Sequence, residues 1–128
     1  MTGDSTNSEP ADQQLVNWTT ALDVVAGDRL LLVEVVDAFL QEAPQQMNAV
    51  DESIRQRDAV TLRRSAHTLK GSLRYFGAQA AFDIALALEM AGMAGQFEGA
   101  AERAASLRDL LQRVLRELAD FIKQERRT

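Results

Sequence analysis

The sequence predicts an all-α protein: an up-and-down antiparallel four-helix bundle with a short extra N-terminal helix. Three observations carry that prediction. Apolar residues recur at spacings of three and four along most of the chain, the period of one buried helix face. No segment alternates with period two while favouring β-branched residues, so no strands are expected. The connections between periodic segments are short, which makes consecutive helices antiparallel neighbours.

Residues 1–11 are small and polar, with almost nothing apolar, and are expected to form a disordered lead ahead of one bundle domain over 12–128. Asn17 is a suitable cap for a short helix through Trp18, Leu22, Val24 and Val25 that ends at Gly27. Asp28 then caps a long helix, about 29–57, whose stripe runs Leu32, Val36, Phe39, Ala43, Met47, Val50 and Ile54. Pro44 lacks the amide hydrogen and crowds the carbonyl of Leu40, so it either kinks this helix or splits it. The apolar phase continues through it, which favours a kink. Leu31, Val35 and Ala38 form a second apolar face. The N-terminal helix is expected to cover them, unless they stay open for docking.

Asp58 opens a third helix, about 59–75, with Leu62, Ala66, Leu69, Leu73 and Phe76 on its stripe and Gly77 as a left-handed end. A fourth, about 78–94, turns Ala81, Ile84, Ala85, Leu88 and Ala91 inward, and Gly92 and Gly95 loosen its end. The fifth, about 97–125, repeats Ala104, Leu107, Leu111, Val114, Leu118 and Phe121.

Composition excludes several function classes. The 128 residues suggest one domain, enough for a single helical core. There is no cysteine and one histidine, so no thiolate nucleophile, disulfide framework or common zinc site can be assembled. No glycine loop with a Walker lysine follows a strand, so no ATP chemistry or bound cofactor is expected. A net charge of −5 argues against nucleic acid as the main partner. The apolar runs fall short of the ~20 residues needed to cross a bilayer, and no signal peptide opens the sequence, so a cytoplasmic address without a membrane partner is expected.

Charge is nevertheless concentrated. Residues 58–76 hold Arg63, Arg64, Lys70 and Arg74 against Asp58 alone. Helical phase turns His67 away from the apolar stripe and sets these four cations around it, with Gly71 one turn on. Most surface histidines have no chemistry, yet this face is costly. Glycine in a helix interior gives up about 1 kcal/mol relative to alanine, and clustered cations add a few tenths each. An anion and a closely approaching partner would account for both. A neutral imidazole is a nucleophile, and flanking cations stabilise a phosphoryl group arriving on it. That chemistry suits a phosphoryl carrier, not a hydrolase.

The run His67-Thr68-Leu69-Lys70-Gly71-Ser72, followed by Gly77-Ala78 and by Leu88-Glu89 on the next helix, resembles the histidine-containing phosphotransfer (HPt) domain of bacterial phosphorelays. The resemblance runs from about Trp18 to the last helix and takes in Phe39, Glu42 and Pro44. It implies a monomeric carrier, not an enzyme in its own right, which takes phosphate from a receiver-domain aspartate and passes it to another receiver or back. The receivers could be those of response regulators or of a hybrid sensor kinase. By position, His67 would be phosphorylated on Nε2, Lys70 would steady the phosphate, Gly71 would leave room for the receiver, and Ser72 would hydrogen-bond near the ring. Magnesium would be the receiver's. Leu73, Arg74 and Tyr75 stand where small or amide residues are frequent in the family. Leu73 falls on the core stripe, whereas Arg74 and Tyr75 bear on which receivers dock.

A docking surface is expected on Arg63, Arg64 and Arg74, bordered by Leu31 and Val35. The competing reading is a helical adaptor that never carries phosphate and binds a partner through its first two helices. A sensor-kinase dimerisation domain fits less well, because Thr68 and Ser72 stand where that family has an acidic residue and a proline. The acceptor domain of a chemotaxis-type kinase would belong to a much longer chain with an ATP site.

Overall fold

The caps expected from the sequence form as hydrogen bonds. In the computed structural model, which describes residues 14–127, the Asn17 side chain accepts from the Thr20 amide and starts α1, Trp18–Val24. Asp28 accepts from the Leu31 amide and starts α2, Arg29–Gln56. Asp58 accepts from the Thr61 amide at 3.1 Å and from its hydroxyl at 2.7 Å, starting α3, Ala59–Tyr75. Helices α4, Gln79–Ala94, and α5, Ala100–Arg127, complete the chain. The described residues contain no strand, and none of their helices is long and apolar enough to cross a membrane. The lead over 1–11 lies outside the described residues, apart from which the helix bounds fall within a few residues of those expected.

The end of α3 explains how the chain reverses there. Gly77 has φ +60°, its amide donates to the Arg74 carbonyl, and the Ala78 amide donates to that of Leu73, both at 3.0 Å. This is the paired-bond helix end that a left-handed residue permits. A Cβ on Gly77 would lie 2.6 Å from Cβ of Asn17. The N-terminal segment is tied down at that point, because the Asn17 amide also donates to the Phe76 carbonyl at 2.9 Å. The Leu15 and Val16 amides donate to the Glu117 carboxylate on α5.

Helix α2 packs on α3 and α5, and α4 packs on α3 and α5, closing a four-helix ring around one core. Leu32, Val36, Phe39, Ala43, Met47 and Val50 are buried on α2, and Leu62, Ala66, Leu69 and Leu73 on α3. Helix α2 continues through the exposed Pro44 as one helix, so it is not split in two. Three stripes differ in detail from expectation. Ser53 is buried where Ile54 was expected, its hydroxyl donating to the Val50 carbonyl at 2.8 Å. On α5, Ile122 is buried, and Phe121 is half-buried and stacks on Trp18 at 4.8 Å. On α4, Glu89 and Gly92 are buried, and Ile84 and Ala91 are half-buried.

The second face of α2 is not covered as expected. Leu31 is 43% exposed, Ala38 is exposed, and Val35 is half-buried. Helix α1 touches α2 and α3 without covering this face, and it reaches α5 through the Trp18–Phe121 stack and the end of α3 through the Asn17–Phe76 bond.

Candidate functional site

The site is built on the seam between α3 and α4. What brings the two helices together is Gly92. A Cβ there would stand 2.6 Å from the Arg63 amide nitrogen and 2.9 Å from the Ala59 carbonyl oxygen, both backbone atoms. Gly92 is therefore a close-approach point, not a loosened helix end as the sequence suggested. One turn back along α4, the same approach sets Glu89 against α3.

His67 stands in solvent, its side chain 65% exposed. Its Nδ1 lies 2.8 Å from Oε2 of Glu89, and Lys70 Nζ lies 2.7 Å from the other carboxylate oxygen, Oε1. The lysine contact is an ion pair. One buried carboxylate thus bridges the histidine and the lysine. Burial raises the Glu89 pKa, but the adjacent Lys70 ammonium and the His67 ring outweigh it and hold the carboxyl below its ordinary value. An ionised carboxylate can only accept. The neutral ring must therefore carry its proton on Nδ1 and leave the lone pair on Nε2. No protein partner of Nε2 is found among the described residues.

The basic ring expected around His67 is thus modified by an acid from the neighbouring helix. Lys70 is largely covered and paired with Glu89. Arg74 lies over the Phe82 ring on α4, 5.2 Å from its centroid. Arg63 and Arg64 are exposed and, with Val60, His67 and Glu89, line a recess of about 280 Å³. Gly71 is exposed, and a Cβ there would meet nothing within 4 Å. Nothing among the described residues requires this glycine.

Two expected contacts of the ring are not found among the described residues. Ser72 is five residues beyond His67 and so about 140° around α3 from it. The ring's hydrogen bond goes to Glu89, and Ser72 faces the other flank. Leu31 and Val35 do not border the histidine either. Phe39 and Phe76 meet with centroids 5.2 Å apart, which fixes the antiparallel register and puts His67 level with Asn48 on α2. From that level Leu31 is about 25 Å away along the axis, and Val35 about 20 Å.

Glu89 is the residue that reading the sequence by periodicity missed. Only the family resemblance includes it. Its phase held the signal: it falls between Ala85 and Gly92 on the stripe of small residues facing α3. A carboxylate in such a stripe needs a partner. Among the described residues no group of three or more histidine, cysteine, aspartate or glutamate side chains is placed to hold a metal ion.

Comparison with known proteins bears on the family and the fold. The family model described as the Hpt domain matches residues 34–117. The crystal structure of histidine-containing phosphotransfer protein B (HptB) from Pseudomonas aeruginosa PAO1 has the same fold, with a TM-score of 0.79 and 15% identity. The match covers 86% of this chain and 96% of that one. No curated protein matches the chain.

Proposed function

This chain belongs to the Hpt domain family, and on that premise we propose that it is a phosphorelay intermediate that accepts a phosphoryl group on Nε2 of His67 from a receiver-domain aspartate and hands it to another receiver, or back. A phosphotransfer role is what the family shares. The observation that supports this particular route is the exposed imidazole whose Nδ1 is held by Glu89, leaving Nε2 free.

The step balances without a bound cofactor in this chain. The Nε2 lone pair attacks phosphorus, the N–P bond forms, and the acyl P–O bond breaks. The aspartate carboxylate leaves with that electron pair. The ring becomes cationic while keeping its Nδ1 proton, and the Glu89 carboxylate stabilises that charge, as an acid partner does for any imidazole turning imidazolium. Transfer onward is the reverse: the protonated ring leaves as neutral imidazole. Lys70, Arg63 and Arg64 lie where cations can stabilise the phosphoryl oxygens. In this reading Mg²⁺ belongs to the receiver and the carrier acts as a monomer.

The test is incubation with candidate receiver domains carrying ³²P-labelled aspartyl phosphate. Acid-labile label should move to the wild-type chain and be absent in His67→Gln. A wild-type chain that binds receivers but never takes label would instead support the adaptor reading.

A further inference from the structure

We propose that the receiver docks across the α3–α4 seam, with exposed Val60 and Met93 as its apolar contacts beside His67. This rests on the phosphorelay reading and specifies the partner surface of the same site. Two large apolar side chains stand open beside the site, Val60 at 62% and Met93 at 65% exposure; Leu30, at 80%, is more exposed but lies at the start of α2 next to Leu31.

Their placement follows from helix geometry. Val60 lies two turns before His67 on the same stripe of α3, with Arg63 and Arg64 between them, and it lines the recess that holds His67 and Glu89. Met93 is four residues after Glu89 on α4 and so shares its face. It also follows Gly92, which sits against Ala59 and Arg63. The two helices thus bring Val60 and Met93 to one end of the seam, His67 and Glu89 to its middle, and Arg74 over Phe82 to the other end.

The occupant is fixed by continuity and by charge. Any partner that brings an aspartyl phosphate to Nε2 must cover the surface immediately around His67, and Val60 is part of that surface. An acidic receiver site complements Arg63 and Arg64, which flank the apolar contact. Methionine is unbranched and polarizable, and it adapts to differently shaped partners. A carrier that must receive from one receiver and deliver to another uses that property. By contrast, Leu31 lies about 25 Å away along the bundle axis.

The experiment uses the full chain and the receiver domain that labels it fastest in a panel charged with ³²P-labelled acetyl phosphate. Val60→Asp and Met93→Asp are each expected to lower the second-order transfer rate at least about tenfold, and the Val60→Ser/Met93→Ser pair severalfold. Thermal melts of each variant establish that it is folded. Charging of His67 by phosphoramidate, which needs no docking, reads the imidazole separately, and the loss should be absent from it. Wild-type transfer rates in both aspartate variants would overturn the proposal, as would a loss confined to Leu31→Asp, which places the receiver on α2. If neither phosphoramidate nor any receiver labels wild-type His67, the phosphorelay reading itself fails and this surface falls with it.

Discussion

Glu89 Oε2 sits 2.8 Å from His67 Nδ1, and this contact decides which ring nitrogen is free to react. Removing the acceptor should release the tautomer. Glu89→Ala is expected to slow receiver-to-histidine transfer by about tenfold or more, the usual scale for losing a partner that orients an imidazole. Glu89→Gln, whose amide oxygen can still accept, should recover part of that loss. Imidazole ¹⁵N shifts distinguish a structural cause from this one: a single Nδ1–H tautomer in the wild type, a mixture in Glu89→Ala. Equal tautomer populations in all three proteins would remove the positioning role.

The same carboxylate makes the fold sensitive to acid. Its folded pKa is depressed below its ordinary value of 4.5, so the folded state binds that proton less readily than the unfolded chain. The resulting stability is fully present above the ordinary glutamate range and is lost as pH falls through the depressed folded value. Urea midpoints between pH 7 and about pH 3 should therefore decline more steeply in the wild type than in Glu89→Gln. Parallel declines would show that the Lys70–Glu89–His67 bridge does not contribute.

Much of this arrangement was legible in the sequence because the signals were local. Asn17, Asp28 and Asp58 announce helix starts by their own side-chain chemistry, and all three accept the expected amide. The long stripes of α2 and α5 repeat over enough turns for the period to be unmistakable. What was not legible depended on a neighbour. Whether Gly92 loosens a helix or admits one cannot be read without Ala59 and Arg63 across from it. Likewise Phe121 shares the edge of its stripe with Ile122, and only the position of Trp18 decides which goes inward. The phase of α3 alone turns His67, Arg63 and Arg64 to solvent, but the acid that pairs with His67 and Lys70 comes from α4.

Two glycines on facing helices should respond to substitution in opposite ways. Gly71 has open space where a Cβ would be, so Gly71→Ala is expected to stabilise the fold by about 1 kcal/mol through helix propensity. The bulkier Gly71→Gln should retain most of that gain while reducing transfer from receivers. Gly92→Ala would drive a methyl into the backbone of Arg63 and Ala59. Overpacking of about 1–3 kcal/mol then exceeds the propensity gain, and the seam opens. Denaturation midpoints measured with transfer rates check both. A destabilised Gly71→Ala would mean that this glycine serves the fold after all.

Helix α1 offers a separate test of where function resides. It is held to the bundle by buried Ala21 and the flanking Val16 and Val25, by the Leu15 and Val16 amide bonds to Glu117, by the Asn17–Phe76 backbone bond, and by the Trp18 ring stacked on Phe121 at 4.8 Å. Trp18 is half-buried, so Trp18→Ala should cost about 2–3 kcal/mol, somewhat less than truncating a fully buried tryptophan. For a domain of this size that lowers the melting temperature by roughly 10 °C. The bundle around His67 is made by α2 to α5, and Gly92, Glu89 and Lys70 owe nothing to α1. Transfer measured well below the melting temperature should therefore stay within about twofold of wild type. An adaptor that bound through its first two helices would behave differently: its partner affinity would fall with Trp18→Ala even at temperatures where the fold is intact.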